Sequence, residues 1–183
     1  MTVHERDAPP RSANKLLTVS HYFETHRGGI EIVASSLAQE LANRGIDVTW
    51  MATDASPVPA TTENATQIAL RASNLLERTI GIPYPLVFLS AWRRIFRETK
   101  RADAVLIHDG LYLTSVIASL SAAWAGKPYI VVQPIGMVPY NNVLLRSLMS
   151  VANKVITRTV LKHADQIVFY PASPVNGERE CQP

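Results

Sequence analysis

Residues Lys15–Ala52, KLLTVSHYFETHRGGIEIVASSLAQELANRGIDVTWMA, decide the fold of this chain. The run Lys15–Ser20 is typical of a buried strand, and Ile46–Ala52 is typical of a second one. Between them, apolar residues recur every three or four positions, as on one face of a helix: Ile30, Val33, Ala34, Leu37, Ala38 and Leu41. Arg44-Gly45 ends this helix, because glycine readily adopts the left-handed conformation that closes a helix. The stretch predicts a βαβ unit with parallel strands and a right-handed crossover.

The alternation of strands and helices continues along the chain. Further strands are predicted at Gln67–Arg71, Ala104–His108, Tyr129–Gln133 and Gln166–Tyr170, and further helices at Leu86–Thr99, Leu111–Ala125 and Val143–His163. In the helix Leu86–Thr99 we expect Trp92, Ile95 and Phe96 to face the core and the arginines to face solvent. Because the strands are apolar throughout, both faces of the sheet should be covered. The pattern predicts an α/β fold: a doubly wound, Rossmann-like parallel sheet with helices on both faces.

Composition narrows the class of protein. The 183 residues are 47% apolar and 18% charged, which suits a folded core and excludes general disorder. Cys181 is the only cysteine, so no internal disulfide forms. No segment has the roughly 20 apolar residues of a membrane span, and the first 15 residues do not resemble a signal peptide. We expect a cytoplasmic protein with a disordered leader (1–14), one domain (15–170) and an irregular tail (171–183).

The basic residues are concentrated in one place. The chain carries 18 Lys and Arg against 15 Asp and Glu. The segment Ala91–Arg101 alone holds Arg93, Arg94, Arg97, Lys100 and Arg101 against Glu98. A nucleic-acid-binding protein would spread basic residues over a whole face, so that class is disfavoured. The cluster is either a solvated helix face or a patch that makes loose, salt-sensitive contact with anionic membrane, at the inner face in a cytoplasmic protein.

Ligands of doubly wound sheets bind beyond the carboxyl ends of the strands, so three segments are candidates: His21–Glu31, His108–Tyr112 and Gln133–Tyr140. Gly28-Gly29 is neither the dinucleotide-binding G-x-G-x-x-G pattern nor part of a P-loop. The pair either makes a tight βα turn or lets a phosphate approach the start of the helix, where free N–H groups and the helix dipole attract anions.

His108-Asp109 ends the most apolar strand. His108 is either a satisfied core histidine or a group that binds a substrate hydroxyl or acts as a base, while Asp109 either orients it or caps the next helix. No metal-binding spacing is present, so no catalytic metal is expected. The absence of G-x-S-x-G disfavours a hydrolase.

Five segments in order resemble the N-terminal domain of family 4 glycosyltransferases of the GT-B fold. They are His21-Tyr22-Phe23 with Gly28-Gly29-Ile30-Glu31, Gly81–Leu86, Ala102–Asp109, Gly126-Lys127-Pro128 and Ala164–Val168. The resemblance covers about residues 15–172. It implies half of a two-domain, retaining glycosyltransferase, in which this half holds a glycan or lipid-linked acceptor. The donor is a nucleotide sugar, used as co-substrate, and no further cofactor is implied.

The resemblance also implies roles for individual residues. The amides of Gly28 and Gly29 face the donor diphosphate, and His108, the catalytic candidate, lies beside the transferred sugar or the acceptor. The acceptor side of the cleft includes Glu31, Asp109, Gln133 and Gly136. The family commonly has a histidine after the strand Tyr129–Gln133, whereas this chain reads Gln133-Pro134-Ile135-Gly136.

The length departs from the family as well, since the resemblance implies a chain about twice as long with a C-terminal donor domain. We therefore expect a truncated product that is inactive alone. Two alternatives stay open: a sugar- or nucleotide-binding module or partner subunit without catalysis, and a dinucleotide-binding Rossmann domain of an oxidoreductase.

Overall fold

A computed structural model of the chain describes residues 14–26, 28–55, 57–59, 65–75, 79, 85–135 and 155–171. The expected leader (1–14) and tail (171–183) lie almost entirely outside these ranges, as does Gly136. None of the helices within them is both long and apolar enough to cross a bilayer.

Strands and helices alternate as expected. The strands are β1 (Lys15–Val19), β2 (Asp47–Thr53), β3 (Ala65–Leu70), β4 (Ala72–Ser73), β5 (Leu86–Val87), β6 (Ala104–His108), β7 (Tyr129–Ile135) and β8 (Gln166–Pro171). The helices are α1 (Gly29–Asn43), α2 (Leu89–Arg101), α3 (Leu113–Ala125) and α4, of which residues 155–162 are described. A short 3-10 helix covers Glu24–His26.

Six of these strands form one parallel sheet in the order β3-β2-β1-β6-β7-β8. The chain moves in one direction from β1 to β3 and in the other from β6 to β8. The reversal between β1 and β6 creates the crevice in which doubly wound folds bind their ligands. The doubly wound, Rossmann-like class predicted from the sequence is confirmed.

Each face of the sheet is covered by its own helices. Leu17 and Val19 of β1 point to the face where Ile95 of α2 and Ile117 of α3 complete the largest core cluster. Trp50 of β2 points to the opposite face and packs with Phe23 and with Ala34 of α1. Because successive residues of a strand face opposite sides, β6 presents Val105 and Ile107 to α2 and α3, and His108 to the α1 face.

The helix predicted at Leu86–Thr99 begins later than expected. Leu86 and Val87 pair with Ser73 and Ala72 in a short antiparallel ladder, so α2 starts at Leu89. Ile95 is fully buried as predicted, but Trp92 is 42% exposed. The buried stripe of α2 is instead Ala91, Ile95 and Thr99. The prediction that Trp92 faces the core is wrong, because α2 packs on the domain along the side that carries Ala91, Ile95 and Thr99.

Gly45 and Gly126 close α1 and α3 with left-handed backbone, at φ +84° and +63°. The left-handed glycine predicted after α1 is therefore present. A side chain at either position would be strained, since L residues rarely adopt these angles.

The two sides of α2 give a stability test of this arrangement. Ile95→Ala opens a cavity in the large cluster and should lower the free energy of unfolding by about 2–5 kcal/mol. Trp92→Ala truncates a side chain that is 42% exposed and leaves no closed cavity, so it should cost less than Ile95→Ala. Urea denaturation of both variants measures the difference, and equal losses would contradict the assignment of the two faces.

Candidate functional site

The candidate site lies where β1 and β6 end, on either side of the chain reversal. The segment after β1 is held down by Thr53, whose N–H and Oγ1 both donate to the His21 carbonyl, at 3.0 and 2.7 Å. The His21 ring stacks on Tyr112, with ring centroids 3.7 Å apart. Tyr22 stacks on His26 at 4.0 Å. The ends of β1 and β6 are therefore joined by aromatic and imidazole rings.

His108 is completely buried at the end of β6. Within the described part of the chain, neither of its ring nitrogens has a hydrogen-bond partner. Burial lowers the pKa of His108 to about 4, so the ring is neutral at physiological pH. The His108 ring is therefore a buried polar group whose hydrogen-bonding atoms have no partner among the described residues.

Asp109 and Gln133 serve mainly to hold the turn after β6. Asp109 Oδ1 accepts hydrogen bonds from Leu111 N–H at 3.0 Å and from Gln133 Nε2 at 3.2 Å. The Gln133 Oε1 atom accepts one from Gly110 N–H at 2.9 Å. A Cβ at Gly110 would lie 3.3 Å from Thr157 Cγ2 of α4, so this turn also packs closely against that helix. The structure therefore brings together two of the predicted cleft residues and ties both to one turn.

The Glu31 side chain reaches back over the first turn of α1. A Cβ at Gly28 would collide with Glu31 Oε2, whereas one at Gly29 would meet nothing within 4 Å. Gly28 is the N-cap of α1, and it has no side chain that could accept a capping hydrogen bond from the helix. A carboxylate at this place is stabilised by the free N–H groups of the helix. Glu31 thus lies where the sequence predicted an anionic ligand, while the approach to Gly29 stays open.

Glu31 and Asp109 are buried carboxyls with raised pKa values. Burial raises the pKa of Glu31, and the negative charge of Asp109 raises it further; a backbone hydrogen bond and His26 act the other way. Burial also raises the pKa of Asp109, against the hydrogen bonds from Leu111 and Gln133. Two buried carboxyl groups with raised pKa values favour contact with groups that are neutral or that donate hydrogen bonds.

Tyr170, near the end of β8, belongs to this group and was not predicted from the sequence. Burial raises its pKa to about 12, with smaller contributions from Asp109 and Glu31. Its hydroxyl is buried and finds no hydrogen-bond partner among the described residues. Tyr170 pairs in register with Pro134 on β7, which places it at the same edge of the sheet as Asp109. The signal was present in the sequence, since Tyr170 ends a predicted strand.

The predicted basic patch lies apart from this site. Arg93, Arg94, Arg97, Lys100 and Arg101 are all exposed on α2, which lies on the other face of the sheet from α1. Within the described ranges, no three His, Cys, Asp or Glu side chains converge as metal ligands would.

The family model of the glycosyl transferase 4-like domain matches residues 28–171. The chain belongs to this family. The match begins at the glycine turn and includes His108, Asp109, Gln133 and Tyr170, so the glycosyl transferase 4-like domain contains nearly the whole candidate site. No curated protein matches the sequence.

Solved structures with similar folds come from more than one class of enzyme. MurG from Acinetobacter baumannii aligns with a TM-score of 0.47 at 16% identity, over 86% of this chain and 41% of its own. The glycosyltransferase SnogD from Streptomyces nogalater aligns with a TM-score of 0.42 at 14% identity, over 94% and 34%. A short-chain dehydrogenase/reductase from Veillonella parvula in complex with NADP aligns with a TM-score of 0.49 at 13% identity, over 85% and 67%. The chain thus spans less than half of either glycosyltransferase, and the family match alone assigns it to glycosyl transferases.

The buried His108 makes a prediction about acid stability. Its pKa is 6.5 when exposed and about 4 in the folded chain. Between these values the unfolded chain binds a proton that the folded chain does not. The free energy of unfolding should therefore fall as the pH drops below about 6.5, with a contribution from His108 of about 2 kcal/mol at pH 5.

His108→Gln should remove this contribution, so the loss of stability between pH 7 and pH 5 should be smaller than in the parent. Denaturant titrations at both pH values measure it, with His163→Gln as the control at an exposed histidine. A pH dependence identical to that of the parent would mean that the His108 ring is not buried in neutral form.

Proposed function

We propose that this glycosyl transferase 4-like domain is the acceptor-side half of a retaining GT-B glycosyltransferase that uses a nucleotide-sugar donor. The observation that carries the proposal is the family match over residues 28–171, which covers the glycine turn and the buried polar groups at the chain reversal. The reaction would transfer a hexosyl group to a glycan or a lipid-linked acceptor.

The donor diphosphate is proposed to approach the start of α1 at Gly29. The open space around Gly29 supports this, because a ligand there would meet the amide groups without a side chain in between. The Glu31 carboxylate lies over the same turn and would repel a diphosphate. Donor binding would therefore require Glu31 to move or to take up a proton, and burial already favours its protonated form.

His108, Glu31, Asp109 and Tyr170 are proposed to bind hydroxyl groups of the transferred sugar or the acceptor. A neutral imidazole and a phenol offer both donors and acceptors, and sugar hydroxyls require both. Because His108 is completely buried, the side chains that cover it would have to shift before a ligand reaches its ring. The His108→Gln variant also tests this role when it is assayed in the completed two-domain enzyme. Turnover equal to that of the parent enzyme would leave His108 a purely structural residue.

A second domain is proposed to complete the catalytic cleft. In a two-domain transferase, donor and acceptor react only when both are held in position, which can be worth several kcal/mol of the barrier. The chain spans 41% of MurG, so the donor-binding part would be supplied by further sequence or by a separate polypeptide.

Turnover of radiolabelled nucleotide sugars tests the proposed activity. We expect no transfer and no donor hydrolysis by the 183-residue chain alone, and transfer after a C-terminal donor-binding half of the same family is supplied. Turnover by the chain alone would show that the donor site is built within these residues. Tight nucleotide-sugar binding without turnover in either mixture would instead favour a binding module.

Gly29→Val tests the proposed diphosphate approach. The added side chain meets no atom within 4 Å of its Cβ, so the domain should fold, but it would stand between a diphosphate and the helix amides. We expect donor affinity in the completed enzyme to fall at least about tenfold, equivalent to about 1.4 kcal/mol. Ser36→Val places the same side chain at an exposed position of α1 as a matched control. Equal affinities for the parent and Gly29→Val would make the glycine turn purely structural.

A further inference from the structure

The outer surface of α2 and α3 carries large apolar side chains that the core does not use. Leu89 and Trp92 of α2 are 64% and 42% exposed, and Leu120 and Trp124 of α3 are 59% and 84% exposed. The half-buried Phe96 joins the two helices, with its ring centroid 5.4 Å from that of Trp124. These five residues form one surface, called here the α2–α3 surface.

The spacing of these residues separates them from the buried stripes of the same helices. Leu89, Trp92 and Phe96 follow one another at three and four residues, as do Leu120 and Trp124 at four, so each set lies along one side of its helix. The core is instead made by Ala91 and Ile95 of α2 and by Ile117, Ala118 and Ala122 of α3. A single exposed leucine needs no explanation, but two exposed tryptophans with leucines beside them indicate a contact surface.

Basic side chains surround the α2–α3 surface. Glu98 pairs with Arg94 at 3.2 Å and with Arg101 at 3.3 Å. No carboxylate in the described part of the chain pairs with Arg93 or Arg97, and Lys100 Nζ lies 4.6 Å from the centroid of the Phe96 ring. The apolar side chains thus lie among positive charges that are only partly neutralised.

We propose that the α2–α3 surface binds the surface of an anionic lipid bilayer, with Trp92, Leu120 and Trp124 inserted between the headgroups. Tryptophan favours the boundary between hydrocarbon and water, and Lys and Arg around it are attracted to anionic headgroups. A second copy of the chain fits less well, because it would bring the same positive charge against this surface. The contact combines insertion with charge attraction, so it is stronger than the loose electrostatic contact expected from the arginines alone.

The position of the surface relates it to the candidate site. Helices α2 and α3 run antiparallel to the strands, so both begin at the edge of the sheet where His108 and Asp109 lie. A bilayer against these helices would therefore extend to the level of the ends of the strands. Lipid binding at this surface needs no transferase activity, so its test is independent of the proposed function.

Vesicle binding by the full 183-residue chain tests the proposal. Vesicles of phosphatidylcholine alone are compared with vesicles that also contain phosphatidylglycerol, in about 0.1 M and about 1 M salt, where the Debye length falls from about 10 Å to about 3 Å. At the lower salt concentration, we expect the chain to cosediment with the anionic vesicles at least tenfold more strongly than with the neutral vesicles. Trp50 is 1% exposed, so a blue shift of tryptophan emission on binding would come from Trp92 and Trp124.

Two double variants separate the apolar from the charged contribution. Leu120→Ser with Trp124→Ser should weaken binding at least tenfold and reduce the emission shift; the matched control is Ile32→Ser, which removes a 52% exposed side chain from α1 on the other face. Each lost basic residue should weaken binding roughly fivefold. The double variant Arg93→Glu, Arg97→Glu loses two of them and should therefore weaken binding by more than this. Arg44→Glu at the exposed end of α1 is its control.

Circular dichroism of each variant establishes that it is folded before binding is compared. Equal binding to neutral and anionic vesicles, no binding to either, or full affinity of the Leu120→Ser, Trp124→Ser variant would overturn the proposal. So would a dimer in sedimentation equilibrium that the same double variant dissociates, since the occupant would then be a second copy.

Discussion

The parallel pairing of β1 with β6 connects parts of the chain that are far apart in sequence. The N–H of Lys15 donates to the Asp103 carboxylate at 2.8 Å across 88 residues, and the register continues to Val19 opposite Ile107. Because parallel neighbours need crossover connections, this pairing sends α1 over one face of the sheet and α2 and α3 over the other. The segments that leave β1 and β6 then diverge to opposite faces, and the crevice between them contains the candidate site.

The same pairing explains why so many buried groups at this edge keep unusual properties. Inside the sheet, the backbone N–H and C=O groups of the strands pair with those of neighbouring strands. At the strand ends, polar side chains are buried beside the crevice instead. Among the residues that the structure describes, no hydrogen-bond partner is found for the two His108 ring nitrogens or the Tyr170 hydroxyl. Glu31 and Asp109 have raised pKa values. Each of these is costly for a structural core and useful for binding polar ligands.

Local patterns predicted the elements well where the relevant interactions are local. The strand Ala104–His108 has the predicted bounds, and α1 differs from its expected extent by only a residue or two, because its apolar stripe and Gly45 lie within the segment itself. The start of α2 was misplaced because Leu86 and Val87 pair with Ala72 and Ser73, which are more than ten residues away. Trp92 was assigned to the core because it shares the apolar spacing of Ile95 and Phe96, but the buried side of α2 is made by Ala91, Ile95 and Thr99.

The candidate site was predictable to the extent that it follows single strands. The ends of β1, β6 and β7 pointed to the glycine turn, to His108 and Asp109, and to Gln133. Tyr170 could be identified from the sequence as a strand end, but strand order could not be derived from local periodicity, so its place near Glu31 and Asp109 could not be predicted. Gln133 holds the turn through side-chain hydrogen bonds between β7 and the end of β6, and local periodicity does not predict these either.

The backbone of Asp109 has a consequence for how this domain tolerates change. Its φ of +64° is a conformation that glycine adopts freely and that costs another residue about 1–3 kcal/mol. The aspartate thus keeps a carboxylate at the end of β6 in a backbone conformation that lowers the free energy of unfolding. Glycine at this position would relieve the strain but would also remove the carboxylate that accepts hydrogen bonds from Leu111 N–H and Gln133 Nε2. Greater heat resistance at this position therefore requires a residue that tolerates left-handed backbone and still accepts these bonds, so the turn and its acidic group constrain each other.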